Sequence, residues 1–254
     1  MSEQGLDLFI RSIKLKKESP SKEDYPFSLP AIQQLRELAF HPNVTFLVGE
    51  NGSGKSTILE AIAASYGFNP EGGTKNFQFA SYDSHSGLHD YIIVVKGVRR
   101  PDDGFFLRAE SFYNVASNIE ELDRQGYGPR IIEQYGGVSL HEQSHGESFM
   151  SLFIHKFKGN GIYILDEPEA ALSPSRQLTM IARLHELVEQ GCQFIIATHS
   201  PILMTYPNAW IYDIQQGYRK VAYQETEHYQ ITKTFLDYPE RMLDVLMDKG
   251  NDYK

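Results

Sequence analysis

The chain has 254 residues, of which 41% are hydrophobic and 22% charged, and its formal net charge is -9. This length allows one large domain with a buried core, and the acidic balance gives no global footprint for binding nucleic acid. The single cysteine, Cys192, excludes an internal disulfide and favours a reducing, cytoplasmic compartment. The first residues, MSEQGLDLFIRSIK, do not resemble a signal peptide. Apolar runs such as YIIVV are far shorter than the roughly 20 residues that span a bilayer, so no membrane span is expected.

Short apolar runs predict strands along the whole chain. In order, they are NVTFLVG, DYIIVVKG, GFFLRAESF, GIYILDEP and CQFIIATHS. The cores VTFLV, IYIL and FIIA are continuously apolar, as is typical of parallel strands covered on both faces. Helical patterns follow three of the strands. This alternation predicts an α/β fold with a mostly parallel sheet and right-handed crossovers.

Two of the predicted helices have clear patterns. STILEAIAAS places Ile58, Leu59 and Ile62 on one side. The other begins after Ser173 as N-cap, has proline at its first position and stops near Gly191. Its predicted apolar stripe is Leu178, Ile181, Leu184 and Val188.

Between residues 112 and 146 the sequence becomes polar, dotted with glycine and only partly helical in period. We interpret this segment as a small lid or helical subdomain inserted into a single domain that covers residues 1–254. It has no sustained heptads, which excludes a coiled-coil arm.

The stretch from Gly49 to Ser56 satisfies the pattern G-x-x-x-x-G-K-S/T between a predicted strand and a predicted helix. Such a loop wraps backbone N–H groups around phosphates, and the helix dipole adds to the attraction. Lys55 is expected to reach the β- and γ-phosphates, and the Ser56 hydroxyl to bind Mg²⁺. The alternative is a coincidental glycine-rich turn. The expected nucleotide-binding residues are Gly49, Glu50, Asn51, Gly52, Ser53, Gly54, Lys55, Ser56 and Thr57.

Two carboxylates end the apolar strand in GIYILDEPEAALSP. A strand of a parallel sheet would place them at its carboxyl edge, beside the phosphate loop. Asp166 is expected to hold the magnesium site through water, and Glu167 to orient or deprotonate the attacking water. The alternative is a strand that ends in a solvated acidic turn.

Two further stretches carry polar groups. Ser144 and Glu147, before an apolar helix, form a capping-box pattern, and Ser144 and Gly146 at that helix N-terminus could also accept an anion. His199 ends the strand in FIIATHSP, where it could hydrogen-bond a γ-phosphate. A histidine at the end of a strand is usually structural, so both interpretations stay open.

The succession GENGSGKST, SHGES, YILDEPEAALSP and ATHSP resembles the ATP-binding cassette (ABC) ATPases. By resemblance these are the Walker A, signature, Walker B with D-loop, and switch-histidine motifs, and ATP with Mg²⁺ is the implied ligand. LRAESFYNVA with SHGES is most similar to small ATPases akin to the DNA-repair and chromosome-maintenance branch. Members of that branch pair head to tail. The resemblance therefore implies an ATP-dependent homodimer in which Ser144, His145, Gly146 and Glu147 contact the partner's nucleotide.

The sequence also departs from the family pattern. His145 and Glu147 stand where transporter subunits usually carry glycine and glutamine, which favours a protein outside the transporters. The glutamine loop has no clear counterpart: Glu110 has the expected topological place, whereas Gln78 has the expected side chain but comes early. Arg108, two residues before Glu110, could pair with a carboxylate.

Three functions fit these observations. One is a soluble ATPase whose dimer closes on ATP and drives a partner protein or acts on nucleic acid. Another is the nucleotide-binding subunit of a membrane transporter. The last is a module in which ATP holds two chains together with little turnover. Glu167 beside Asp166 favours hydrolysis and therefore disfavours the last.

Overall fold

The computed structural model describes residues 8–17, 23–74, 86–110, 112–126 and 130–247, and of Tyr113 and His145 it describes the backbone alone. Within these ranges the chain forms nine β-strands and seven α-helices. The strands are β1 (Ile10–Leu15), β2 (Glu37–Ala39), β3 (Val44–Val48), β4 (Ile92–Lys96), β5 (Asp103–Arg108), β6 (Gly161–Asp166), β7 (Gln193–Ala197), β8 (Trp210–Asp213) and β9 (Arg219–Val221). The helices are α1 (Pro30–Gln34), α2 (Lys55–Tyr66), α3 (Phe112–Gln125), α4 (His145–Ser151), α5 (Pro174–Glu189), α6 (Glu227–Asp237) and α7 (Pro239–Met247).

The larger sheet has six strands in the order β5-β6-β7-β3-β8-β9. Its first five strands are parallel to one another, and only β9 runs antiparallel. Every residue of β3, β6 and β7 is buried, which explains why these strands are continuously apolar in sequence. The predicted α/β fold with a mostly parallel sheet is confirmed.

A second sheet has the order β2-β1-β4 and is antiparallel throughout. It contains the predicted strand DYIIVVKG, which therefore lies outside the parallel sheet. The burial of β4 explains the difference: Ile92 is buried whereas Ile93 is 47% exposed, so this strand has one open face despite its apolar sequence.

Helices cover the larger sheet on both faces. Ile58 and Ile62 of α2 belong to one buried cluster, together with Ile164 of β6. Met180 and Leu184 of α5 belong to the cluster on the other face. The start of α5 is as predicted, since Ser173 is its N-cap and accepts a hydrogen bond from the Arg176 N–H. The predicted stripe of α5 is wrong at Leu178, which is 60% exposed; Met180 and Leu187 are buried instead.

The inserted segment, residues 112–146, is helical over much of its described length. It comprises α3, a 3-10 turn at Ile131–Tyr135 and the start of α4. Ile119 and Tyr135 are buried in the same cluster as Phe149 of α4 and Leu184 of α5. The segment therefore shares its core with the main domain; the extent of that domain, residues 1–254, stays a prediction.

The last two helices, α6 and α7, are exposed to solvent. None of the described side chains of α6 and α7 is buried. Their large exposed apolar side chains are Ile231, Phe235, Leu236, Leu243, Val245, Leu246 and Met247. Over the described residues, no helix has both the length and the apolar character that crossing a membrane requires.

Candidate functional site

The loop between β3 and α2 has the backbone that its glycines predict. Gly52 and Gly54 have φ angles of 74° and 104°, which a side chain would strain. Gly54 is also the N-cap of α2, so the helix begins with its first N–H groups directed into the loop. The Ser53 hydroxyl is enclosed here without a hydrogen-bond partner among the described residues. A phosphate oxygen bound in this loop would satisfy this hydroxyl.

Lys55 is 3% exposed at the centre of this loop. Its ammonium group donates to the carbonyl oxygens of Gly49 at 2.9 Å and Glu50 at 3.0 Å. Burial lowers the pKa of Lys55, while the carboxylates of Glu167 and Asp166 act in the opposite direction. The loop thus holds a shielded cation beside two acidic side chains.

Ser56, in the first turn of α2, reaches the end of β6. Its hydroxyl donates to Asp166 Oδ1 at 3.0 Å. Burial raises the pKa of Asp166 to about 7, although the Ser56 hydrogen bond and the Arg108 guanidinium oppose the shift. A hydroxyl and a carboxylate this close match the oxygen ligands of Mg²⁺, which is usually completed by waters and substrate phosphates. Among the described residues there is no cluster of three or more acidic, histidine or cysteine side chains that could hold a metal ion.

Glu167 follows Asp166 in a left-handed conformation, with φ of 50°. Its N–H donates to the Ala197 carbonyl oxygen at the end of β7, which fixes the backbone between the two strands. Its carboxylate Oε1 lies 3.3 Å from Nε2 of His199. The ends of β6 and β7 therefore bring together the two residues that the sequence predicts as catalytic.

Two residues that the sequence analysis missed support His199. The His199 N–H donates to Glu169 Oε1 at 2.5 Å, and His199 Nδ1 lies 3.0 Å from Nε2 of His228 in α6. A cavity of about 500 Å³ opens between α6 and the phosphate loop, and Glu50, Asn51, His199, Glu227 and His228 are among its lining residues. Glu169 stands in the quoted strand-end motif, whereas nothing in the local sequence indicates His228.

The SHGES segment forms the start of α4. Ser144 donates its N–H and its hydroxyl to Glu147 Oε2, at 3.0 Å and 2.6 Å, so the capping interpretation is correct for Glu147. These bonds lower the pKa of Glu147. Gly146 packs so closely that a Cβ would lie 2.8 Å from the Ala171 carbonyl oxygen and 2.3 Å from Arg176 Nη1. The side chain of His145 lies outside the described part of the chain.

Glu110, the candidate for the glutamine loop, is open to solvent, with its side chain 85% exposed. It lines a cavity of about 230 Å³ together with Glu167, which places it near the site. Gln78, the other candidate, lies outside the described residues.

Arg108 pairs with carboxylates, as the sequence analysis expected. Its Nη1 lies 2.9 Å from Glu60 Oε2, Nη2 lies 3.6 Å from Glu110 Oε2, and Nε lies 3.9 Å from Asp166 Oδ2. The contact with Glu60 is the shortest of the three, and the sequence did not lead us to predict it. An acidic residue within the apolar pattern of STILEAIAAS was the signal that could have indicated it.

Comparison with known proteins adds evidence of family. An AAA domain model matches residues 28–127, and an AAA ATPase domain model matches residues 110–204. The cytochrome c biogenesis ATP-binding export protein CcmA of Legionella pneumophila (strain Paris) is 27% identical over 177 residues, which cover 66% of this chain and 86% of that protein. The galactose/methyl galactoside import ATP-binding protein MglA of Escherichia coli (strain K12) is 28% identical over 173 residues, which cover 60% of this chain and 32% of that protein.

Among solved structures, cbiO1 from Clostridium perfringens, part of an ABC transporter complex, aligns with 94% of this chain and 99% of its own, at 18% identity and a TM-score of 0.45. The two AAA models together contain the phosphate loop, the SHGES segment, the strand-end carboxylates and His199. With these two model matches and the four motifs in order, the chain is similar to the P-loop ATPases of the AAA and ABC type.

Proposed function

We propose that this protein binds ATP with Mg²⁺ and hydrolyses it. The phosphate loop, residues 49–57, would hold the phosphates, with Lys55 exchanging its two carbonyl partners for phosphate oxygens. Ser56 and Asp166 would hold the metal, which supplies charge neutralisation at the β- and γ-phosphates. Glu167 would orient and deprotonate water, and His199 would donate a hydrogen bond to the terminal phosphate.

The observation that carries this proposal is the position of Glu167. Its carboxylate lies beside His199, and it follows directly after Asp166, which contacts Ser56 of the phosphate loop. A base of this kind has to lie near the terminal phosphate while the metal ligand lies beside it, because hydrolysis depends on positioning rather than on covalent chemistry. An ATP-binding module without turnover has no need for this base.

Glu167→Gln tests the proposal, because glutamine keeps the size of the side chain and removes the basic carboxylate. We expect ATP binding by calorimetry to remain and turnover to fall by about 10² to 10⁴, the usual effect of losing one acid–base group. Glu142→Gln, at an exposed position of the inserted segment, is the matched control and should turn over ATP normally. Equal turnover by Glu167→Gln and wild type would refute the role of Glu167.

We propose further that the active site is completed by a second copy of the chain, with Ser144, His145, Gly146 and Glu147 facing the partner's nucleotide. Two contacts within the chain would hold the segment in place for this role. Glu147 contacts Arg176, whose helix follows the strand-end carboxylates, so the segment is coupled to the site of its own chain. The absence of any Cβ at Gly146 lets α4 approach Ala171 closely. In a two-fold pair, the SHGES segment of each chain would face the nucleotide of the other.

There are two candidates for the process that ATP hydrolysis would drive. In the first, closure of the dimer acts on a partner protein or on nucleic acid. The second is the nucleotide-binding subunit of a transporter, and the match to CcmA and MglA, whose names describe export and import, favours it. Isolation of the Glu167→Gln protein with ATP from its native cells separates the two. Co-purification of a multi-span membrane protein would support the transporter, and co-purification of a nuclease or of nucleic acid would support the first candidate.

A further inference from the structure

The contact between His199 and His228 joins two distant parts of the chain. His199 follows β7, whereas His228 lies in the first turn of α6, and their rings are 5.1 Å apart between centroids at an interplanar angle of 57°. His199 Nδ1 lies 3.0 Å from His228 Nε2, and His199 Nε2 lies 3.3 Å from Glu167 Oε1. The three side chains therefore form a continuous row that begins at α6 and ends at the proposed base.

The chemistry of this row fixes where the protons lie. Nε2 of His199 lies 3.3 Å from Oε1 of Glu167 and makes no hydrogen bond to any described residue. A proton on this nitrogen is nevertheless favoured, because an ionised carboxylate has no proton to donate and a lone pair on Nε2 would face its negative charge. A neutral imidazole has one N–H, and Nδ1 of His199 is then an acceptor. The bond between the rings consequently needs Nε2 of His228 as the donor. Burial and the nearby Lys55 lower the pKa of both histidines, which favours the neutral rings that this pattern uses.

The first turn of α6 is anchored well enough to hold such a donor in place. Thr226 is 3% exposed, and as N-cap it accepts from the Tyr229 N–H. Its hydroxyl donates to the Tyr223 carbonyl oxygen at 2.7 Å, and the rings of Tyr223 and Tyr229 pack edge to face at 4.7 Å. Beyond this turn the helix is open, with Ile231 54% exposed. The anchoring is thus confined to the end that carries His228.

We propose that His228 is a positioning residue for ATP hydrolysis, which holds His199 in the tautomer that donates from Nε2 to the terminal phosphate. The proposal rests on the proposed function for its kinetic consequence. His228 does not itself touch the phosphate; it acts through Nδ1 of His199. Without it, His199 can place its proton on Nδ1, and Nε2 then presents a lone pair to the phosphate oxygens instead of an N–H.

Steady-state ATPase kinetics test the proposal with two replacements at position 228. His228→Leu removes the donor, and we expect kcat to fall about five- to ten-fold, the loss of one hydrogen bond, while KM stays close to wild type. His228→Gln keeps an N–H donor and should stay within about two-fold of wild type. His185→Leu is the matched control. It removes a histidine of α5 that pairs with the Tyr206 hydroxyl, and it should leave kcat unchanged.

A double-mutant cycle separates positioning from general support of the fold. In a His199→Ala protein, His228→Leu should cause no further loss of kcat, because the residue through which it acts is gone. An undiminished loss in that background, or a His228→Gln protein as slow as His228→Leu, would overturn the proposal.

The ring ¹⁵N chemical shifts of His199 in the nucleotide-free protein provide a readout that needs no hydrolysis. We expect Nδ1 of His199 to be unprotonated in wild type and in His228→Gln, and partly protonated in His228→Leu. A wild type with this tautomer but without ATPase activity would refute the proposed function and leave the positioning by His228 supported. A wild type with Nδ1 protonated would refute the positioning itself.

Discussion

The Lys55 ammonium group donates to the carbonyl oxygen of Gly49 at 2.9 Å, so the loop binds its own lysine. In the proposed complex, a nucleotide would have to replace partners that Lys55 already has. The same burial makes this cation less screened by water than a surface lysine.

We therefore expect Lys55→Ala to weaken ATP binding severely, because the mutant loses the buried ammonium group at the start of α2. Calorimetric titration with ATP and Mg²⁺ measures the effect. Lys233→Ala, which removes an exposed lysine paired with Asp237, is the control and should bind normally. Wild-type affinity in Lys55→Ala would show that residues 49–57 do not form the nucleotide site.

The sequence predicted much of this site because the signals are local. Gly49 directly follows β3, Asp166 ends β6 with Glu167 next to it, and His199 lies two residues after the end of β7. Parallel strands bring their carboxyl ends to one edge of the sheet. Because β6, β7 and β3 are neighbours in the sheet, the three separate motifs at their ends lie side by side.

What could not be predicted depends on packing between distant elements. His228 contacts His199 from α6, and 13 residues separate the end of β8 at Asp213 from the start of α6 at Glu227. Its own neighbours in sequence are polar, and no periodicity distinguishes it. Similarly, YIIVV has the composition of a buried parallel strand, and only its pairing with β1 places it in the antiparallel sheet.

The pair between Arg108 and Glu60 predicts a stability effect. Glu60 is 5% exposed, and the Arg108 side chain is 25% exposed, at an N–O distance of 2.9 Å. Arg108→Met leaves a buried carboxylate without its cation, so we expect the free energy of unfolding to fall by about 2–3 kcal/mol, less than for a fully buried pair. Urea unfolding measures this.

Two further variants make the Arg108 experiment specific. Arg124→Met breaks an exposed pair with Glu121 and should cost less than about 1 kcal/mol. Adding Glu60→Gln to Arg108→Met should recover part of the loss, because the uncompensated charge is gone. If the two arginine variants cost the same, burial does not strengthen the pair.

The shared active site predicts complementation between two inactive chains. Ser144→Arg places a long cation at the start of α4 and should leave ATP binding nearly normal while it blocks closure and hydrolysis. Lys55→Ala loses binding but keeps an intact SHGES segment. An equal mixture should recover roughly one working site per heterodimer, because the intact phosphate loop of the Ser144→Arg chain would face the intact SHGES segment of the Lys55→Ala chain.

The measurement is ATPase activity of the mixture against each mutant alone at the same total concentration. Circular dichroism checks that Ser144→Arg keeps its helices, since the loss of an N-cap costs about 1 kcal/mol. No recovery despite demonstrated heterodimers would count against the shared site. Full activity of a strictly monomeric wild type would refute it.

The pKa of His228 predicts how stability depends on pH. Burial is the main cause that lowers this pKa below 6.5 and Lys55 adds to it, while Glu227 and Asp213 act in the opposite direction. The unfolded chain therefore binds the proton more readily than the folded one. The stability associated with neutral His228 is present above about pH 6.5 and is lost as pH falls through the lowered folded pKa.

Urea unfolding of wild type and His228→Gln at pH 7.5, 6.5 and 5.5 measures the joint effect of His228 and of His199, which contacts it, because the remaining titrating groups are common to both proteins. We expect wild type to lose stability relative to the variant as the pH falls. Parallel curves would mean that His228 has the same pKa in the folded and unfolded chain.

The left-handed backbone at Glu167 has a consequence for the evolution and engineering of this fold. A residue with a Cβ is disfavoured in that conformation by about 1–2 kcal/mol, and glycine is not. Glu167→Gly would therefore relieve strain at the end of β6 while it removes the proposed base. Selection for thermal resistance alone would move the protein toward such a sequence, and only selection for turnover would oppose it. With Glu167 as the proposed base, stability and turnover would thus favour different residues at this one position.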